Sequence, residues 1–230
     1  MKEMIYDIEK FREQRYVFAD RSEAGMTLGA MLQSEYDHVE EGMILAIPSG
    51  GVPVGLKVME TLGLPFDLLI VRKLQIPGNP EAGFGAMTLD GTVFLNEALL
   101  ANLRLSPEQI EAEKRRVEMA LVKRNAMFRE GRPSRDLKGK TVILVDDGLA
   151  SGFTMLASVD MVQKAKARAT IVAVPTAPQR TIDRLLPEVD KIYCANIRMT
   201  PFFAVAEAYR HWYDLREQEV LDLLKKQKQV

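Results

Sequence analysis

Short apolar runs alternate along the chain with longer stretches in which apolar residues recur every three or four positions. That alternation predicts an α/β fold. Met43 to Ile47 is apolar throughout, as expected of a strand covered on both faces. Pro48-Ser49-Gly50-Gly51 interrupts it, and helical spacing resumes from Val52 to Leu62. Leu68 to Val71 predicts a second buried strand that ends at Arg72-Lys73, and Thr141–Val145, Thr170–Val174 and Val189–Ala195 predict further strands. Helical segments are expected over 22–33, with Ser22 as N-cap and Leu28 and Leu32 on one face, and over Thr154–Lys164 and Pro178–Leu186. Ser106-Pro107-Glu108-Gln109 is a capping box with proline at the first helical position; Ile110, Val117, Leu121 and Phe128 share the following face until Gly131. Asp90-Gly91 marks a tight hairpin, whereas Gln75 to Gly85 looks too rich in Gly and Pro for regular structure. From Arg216 the chain reads as an amphipathic helix carrying Val220, Leu221 and Leu224. The expected arrangement is one domain over 1–230, a buried parallel sheet flanked by helices. Its core covers about 17–200, with a small hood and C-terminal helix from 196 onward, joined by the N-terminal segment.

Composition narrows the classes of function. With 31 basic and 32 acidic side chains the formal net charge is −1, so no global field draws the chain to nucleic acid or to an anionic membrane. No apolar run approaches the ~20 residues that span a bilayer, and the first residues lack an apolar signal core, so a cytoplasmic chain is expected. Cys194 stands alone, which excludes an internal disulfide and a cysteine-based metal cluster. His38 and His211 cannot by themselves build a zinc site. The basic residues between Lys114 and Lys140 are interleaved with acids and read as a solvated face rather than an anion-binding strip.

The informative stretch is Thr141-Val142-Ile143-Leu144-Val145-Asp146-Asp147-Gly148-Leu149-Ala150-Ser151-Gly152-Phe153-Thr154. A buried strand delivers two adjacent carboxylates to its C-terminal end, and a loop of small and hydroxyl residues then opens a helix. Backbone N–H groups at a helix N-terminus, with the Ser151 and Thr154 hydroxyls, make a compact cradle for a phosphate. Gly148 and Gly152 permit the tight backbone such a cradle needs. Paired acids beside a phosphate cradle make sense when the ligand between them bears hydroxyls or a metal, and a ribose 5-phosphate satisfies both.

This stretch closely resembles the motif with which type I phosphoribosyltransferases bind 5-phosphoribosyl-1-pyrophosphate (PRPP). The resemblance implies that Asp146 and Asp147 hold the ribose hydroxyls and that Gly148 and Ala150, Ser151, Gly152, Phe153 and Thr154 wrap the 5-phosphate. Ile47 to Gly55 resembles the family's pyrophosphate loop, with Ser49, Gly50 and Gly51 as the contacts. Arg72-Lys73 resembles the basic pair before the mobile flap, and 75–85 resembles the flap itself. Across 17–225 the layout is similar to an uncharacterised bacterial group of such enzymes, sharing Asp20-Arg21-x-x-Ala24-Gly25 and Pro77-Gly78-Asn79-Pro80-Glu81. A type I phosphoribosyltransferase-like fold is what this implies. So is transfer of phosphoribosyl from PRPP to a nitrogen acceptor, a nucleobase or base-like heterocycle, with nucleotide salvage and a homodimer as the family's usual setting. Two phosphates beside carboxylates call for Mg²⁺, held directly or through water by Asp146 and Asp147. Arg72 and Lys73 would add fixed positive charge.

The acceptor is less legible. Ala150 stands where 6-oxopurine enzymes typically hold an Asp that handles a ring proton, so hypoxanthine and guanine are disfavoured. Glu81 is the candidate proton carrier, with a solvated loop acid as the plainer alternative. Phe202 and Phe203 are candidates to stack on a base, with core packing as the alternative. Tyr209, Trp212 and Tyr213 read as core or dimer contacts, Asn196 and Arg198 as groups able to read an exocyclic substituent, and Cys194 as a small buried hydrophobe. Two competitors stand beside the transferase. A PRPP-binding regulator would keep the cradle without transfer; the balanced charge and the lack of a recognisable helix-turn-helix weigh against it without removing it. A receiver-like phosphotransfer domain would leave Ser49–Gly51 and Ala150–Thr154 together unexplained.

Overall fold

The computed structural model describes residues 4–227, except the side chains of Pro80, Glu81 and Ala82. The main sheet contains β1 (Ile5–Tyr6), β2 (Gly42–Ala46), β3 (Phe66–Leu68), β7 (Thr141–Val145), β8 (Ala169–Pro178) and β9 (Lys191–Arg198). All pair in parallel, in the order β1-β9-β8-β7-β2-β3. The unbroken apolar runs have a direct cause in the two-residue side-chain period. Val142 and Leu144 of β7 enter the layer that holds Met155, Val159 and Ile182, while Ile143 and Val145 enter the opposite layer with Leu28, Leu32, Val54 and Val58. One face is covered by α1 (Arg21–Tyr36) and α2 (Gly51–Leu62), the other by α5 (Phe153–Lys164) and α6 (Gln179–Leu185). Strand order runs outward in opposite directions from the β2–β7 pair, and the crevice at the C-terminal ends of these two strands is the switch point where ligands of open α/β sheets bind.

A second, antiparallel sheet of β4 (Val71–Ile76), β5 (Asn79–Thr88) and β6 (Val93–Leu95) leads through α3 (Glu97–Leu103) to the long α4 (Pro107–Arg129). The capping box at Ser106 and the turn at Asp90-Gly91 form as expected. In α7 (Glu217–Gln227), Val220 is fully buried in the same cluster as Val52 and Leu56 of α2 and Phe128 of α4. The helix register of α1 differs from expectation. Asp20, not Ser22, is the N-cap, its carboxylate accepting the amides of Ser22 and Glu23, and the helix extends to Tyr36.

Two larger corrections concern 68–85. The apolar run at Leu68–Val71 is not one strand: β3 ends at Leu68, and Leu69 and Ile70 cross, still buried, to the second sheet. Arg72 and Lys73 therefore lie inside β4, opposite Met87 and Ala86, rather than at a strand end. The stretch 75–85 is regular structure, a hairpin turning at Pro77-Gly78 with a register irregularity around Gln75.

Candidate active site

The loop after β7 is shaped from outside. Thr181 Oγ1 donates to the Ala150 carbonyl at 2.6 Å, and Arg184 Nη1 donates to the Ser151 carbonyl at 2.6 Å. Two of the loop's carbonyls are thus turned toward α6. Among the described residues, the N–H groups of Ala150, Ser151, Gly152, Phe153, Thr154 and Met155 donate to no protein acceptor. Gly152, the residue before α5, sits at φ +79°, a left-handed conformation that a side chain disfavours, and a Cβ there would lie 2.6 Å from Thr181 Cγ2. Unused amides at a helix N-terminus favour negative charge beside them. The side chains of Ala150 and Ser151 are exposed, Phe153 and Thr154 half-buried.

The acids stand beside this row. Asp146 Oδ1 accepts the Asp147 amide at 2.8 Å, and Asp147 Oδ2 accepts Arg21 Nε at 2.8 Å. Burial pushes both carboxyls up. Asp146 lies well above the usual carboxylate range, the charge of Asp147 adding to the rise, whereas Arg21 offsets part of it at Asp147. Arg21 is itself held by the Trp212 ring, 3.9 Å from its guanidinium carbon, and by the Tyr213 carbonyl at 3.0 Å. Tyr209 donates its hydroxyl to the Asp147 carbonyl at 2.5 Å. Sequence reasoning did not give Arg21 a role in the site; its partner is 126 residues away, and only the motif Asp20-Arg21 hinted at it.

The loop after β2 meets the same acids. A Cβ on Gly50 would overlap the Asp147 carboxylate, and one on Gly51 would lie 2.7 Å from the Val145 carbonyl. Gly50 and Gly51 thus pack directly on Asp147 and Asp146. From the other side, Arg124 of α4 donates from Nη2 to Ser49 Oγ at 2.9 Å, and Arg72 is close enough that its charge acts on Arg124. Reading 114–140 as wholly solvated therefore missed Arg124. Among the described residues no group of three or more His, Cys, Asp or Glu side chains is placed to hold a metal by itself.

The hood lies over the far end of the loop. Gly148 abuts it: a Cβ there would be 2.6 Å from Val205 Cγ1. Phe203 is half-buried with its ring 5.6 Å from the Arg198 guanidinium, and Phe202 is 85% exposed, so neither ring is in the core. Arg198 donates to Glu207 at 2.5 Å. Asn196 is fully buried and structural; it accepts from Thr176 and donates to the carbonyls of Phe11 and Gln14. Tyr209 is in the core, Trp212 is half-buried, and Tyr213 is 54% exposed. Cys194 is buried and the burial pushes its thiol up, as a packed hydrophobe requires. His38 and His211 are exposed. Glu81 lies outside the described side chains.

A parallel α/β sheet thus carries an amide-lined loop and an acid pair at its switch point, where ligands of such sheets gather. Residues 23–210 match the phosphoribosyl transferase domain, and the chain belongs to that family. The solved structure of TT1426 from Thermus thermophilus is similar over 91% of this chain and 98% of its own, at 32% identity and a TM-score of 0.74. AQ2163 from Aquifex aeolicus shares the fold at 13% identity and a TM-score of 0.51, over 82% of this chain and 78% of its own. Rv0571c of Mycobacterium tuberculosis, whose name places it among the phosphoribosyl transferases, is 34% identical over 210 residues. That match covers 90% of this chain and 46% of the relative, so the chain spans about half the length of the curated relatives it matches. No helix among the described residues is long and apolar enough to cross a membrane.

Proposed function

We propose that this transferase moves the 5-phosphoribosyl group of PRPP to a ring nitrogen of a small heterocycle. The observation that carries the reading is the row of unused amides from Ala150 to Met155, with its carbonyls tied back by Thr181 and Arg184, lying next to Asp146-Asp147. The amides receive the 5-phosphate. Asp146 and Asp147 face the ribose 2- and 3-hydroxyls, which donate to carboxylate oxygens. The Ser49–Gly51 turn, with Arg72 and Lys73 on the neighbouring hairpin, faces the pyrophosphate.

In the reaction the bond from ribose C1 to the pyrophosphate oxygen breaks and a bond from C1 to the acceptor nitrogen forms. The bonding electrons leave with pyrophosphate, and the acceptor nitrogen gives up its proton. Positive charge grows on the sugar ring as the leaving group departs, so fixed cations around the pyrophosphate lower the barrier. A divalent cation such as Mg²⁺ fits this donor set only in part. Two adjacent carboxylates supply one side, and the remaining oxygens must come from ligand phosphates and water, which is how Mg²⁺ is usually held. Such an ion would neutralise charge on the pyrophosphate. The acceptor would sit on the hood side of the loop with Phe203 as a candidate to stack on it, not between Gly148 and Val205, which already touch. Ala150 brings no acid to that place, which argues against a 6-oxopurine deprotonated from within the loop.

The test is a panel of adenine, hypoxanthine, guanine, xanthine, uracil and orotate with PRPP and Mg²⁺, following pyrophosphate release. Acceptor-dependent release that is lost in Asp146→Asn/Asp147→Asn supports transfer. Tight PRPP binding without turnover on any acceptor would favour the regulator, and undiminished PRPP affinity in the double variant would sink the assignment of the acids.

A further inference from the structure

The long helix α4 presents a mostly solvated basic face with two exceptions: Arg129, which is buried and paired with Asp67, and Arg124, which lacks such a partner. Its side chain is 16% exposed, and its guanidinium lies 5.3 Å from the Phe128 ring. One donor, Nη2, is used by Ser49 Oγ; Nε is buried and meets no acceptor. The acid that comes nearest is Glu217, half exposed at the start of α7, and its contact of 3.9 Å is at the limit of an ion pair. Burial lowers the pKa of Arg124, and the charge of Arg72 lowers it further. The Arg72 side chain for its part makes no hydrogen bond or ion pair among the described residues. Glu113, which faces Arg72, is already taken by Arg116 and by the Gln75 amide.

Two guanidinium groups, one of them on the Ser49 hydroxyl, thus repel one another with incomplete sets of hydrogen bonds. Sequestering a cation without a full partner set is unfavourable in general, and the arrangement is relieved when an anion with several oxygens enters. Guanidinium groups bind phosphate oxygens through two parallel N–H groups, which an ammonium cannot do.

Resting on the transferase reading above, we infer that Arg124 and Arg72 form, with Ser49, a clamp for the diphosphate leaving group, and that Glu217 of α7 is its exchangeable counter-ion. In the free chain Glu217 partly neutralises Arg124. A diphosphate displaces it and bridges the two guanidinium groups, so that the C-terminal helix senses whether this half of the site is filled.

The test uses the full chain and two separate probes, inorganic pyrophosphate and ribose 5-phosphate, each titrated with Mg²⁺ in a calorimeter. Arg124→Met should weaken pyrophosphate about tenfold or more while leaving ribose 5-phosphate within about twofold. Arg124→Lys should recover part of the loss, because it restores charge without the fork. Glu217→Gln should tighten pyrophosphate about threefold, and less so as salt is raised. Thermal melts establish that each variant is folded. Unchanged pyrophosphate affinity in folded Arg124→Met would overturn the clamp, and weaker binding in Glu217→Gln would overturn the counter-ion role. Wild-type chain that binds ribose 5-phosphate but not pyrophosphate overturns this inference alone; binding of neither probe overturns the transferase reading as well.

Discussion

Replacing Asp146 by asparagine should stabilise the fold at mildly alkaline pH while abolishing PRPP binding. Two adjacent carboxyls share one guanidinium, that of Arg21, and burial pushes both of them up, Asp146 well above the usual range. An acid whose folded-state pKa exceeds its unfolded value holds its proton more tightly in the folded chain. Stability therefore falls as pH rises past the unfolded value, ~4, and the full penalty is present above the folded value. Asparagine keeps an oxygen to accept the Asp147 amide, now at 2.8 Å, and leaves Asp147 to pair with Arg21. Removing one of two sequestered like charges at a functional site gains on the order of 1–2 kcal/mol. For a chain of 230 residues that corresponds to roughly 2–8 °C in Tm, at about 2–4 °C per kcal/mol. Melts of both proteins at about pH 8 and about pH 4 decide the matter, since the unfolded value of ~4 marks where the penalty begins. The gain should be present at the higher pH and shrink toward zero at the lower. An equal gain at both, or a loss at the higher pH, would refute the account of the acid pair.

Three further expectations follow from the same geometry. Thr181→Val keeps the volume but removes the hydroxyl that holds the Ala150 carbonyl; ribose 5-phosphate affinity, measured by calorimetry, should fall about tenfold, a change of ~1.4 kcal/mol. Gly152→Ala places a Cβ against Thr181 at φ +79° and should lower stability by about 1–3 kcal/mol in denaturant melts, with loss of phosphate binding; a neutral result would show that the loop tolerates a side chain there. Arg129 is buried and paired in parallel with both oxygens of Asp67, at 2.9 and 2.7 Å, so Arg129→Met should destabilise by ~3–5 kcal/mol in the same melts. Arg129→Met/Asp67→Leu should recover most of that loss, because the stranded carboxylate is gone.

Where the determinants are local, the sequence was sufficient to read them. The β7 run, its acid pair and the glycines before α5 are contiguous, and a strand covered on both faces has no polar positions to confuse the pattern. Ser106 with Gln109 makes its capping box within four residues. Errors arose where burial and secondary structure part company. Leu69 and Ile70 are as apolar as a strand because both are buried while crossing between sheets, and periodicity registers burial alone. Gly83 and Gly85 looked like signs of irregular backbone, yet they are required by close pairing: a Cβ on Gly85 would collide with the Phe94 carbonyl. Asp20 competes with Ser22 for the cap, and geometry favours Asp20 because Glu23, three residues on, also receives the Ala19 amide. Arg21 and Arg124 reach Asp147 and Ser49 across separations of 126 and 75 residues, which no local pattern encodes.

The seam between the two ends of the chain sets an order of events. β1 lies beside β9, with Ile5 opposite Ile192, Tyr6 stacked on Tyr193, and Phe18 bridged to Tyr209. A ribosome emits the first of these partners long before the second. β1 must therefore wait, unpaired, until β9 has been made, and closing so long a loop slows its arrival even then. Arg21 is made before the acid it pairs with, whereas Trp212 and Tyr213, which hold its guanidinium, are made after it. The ion pair between Arg21 and Asp147 therefore has both of its partners before it has the ring that steadies it.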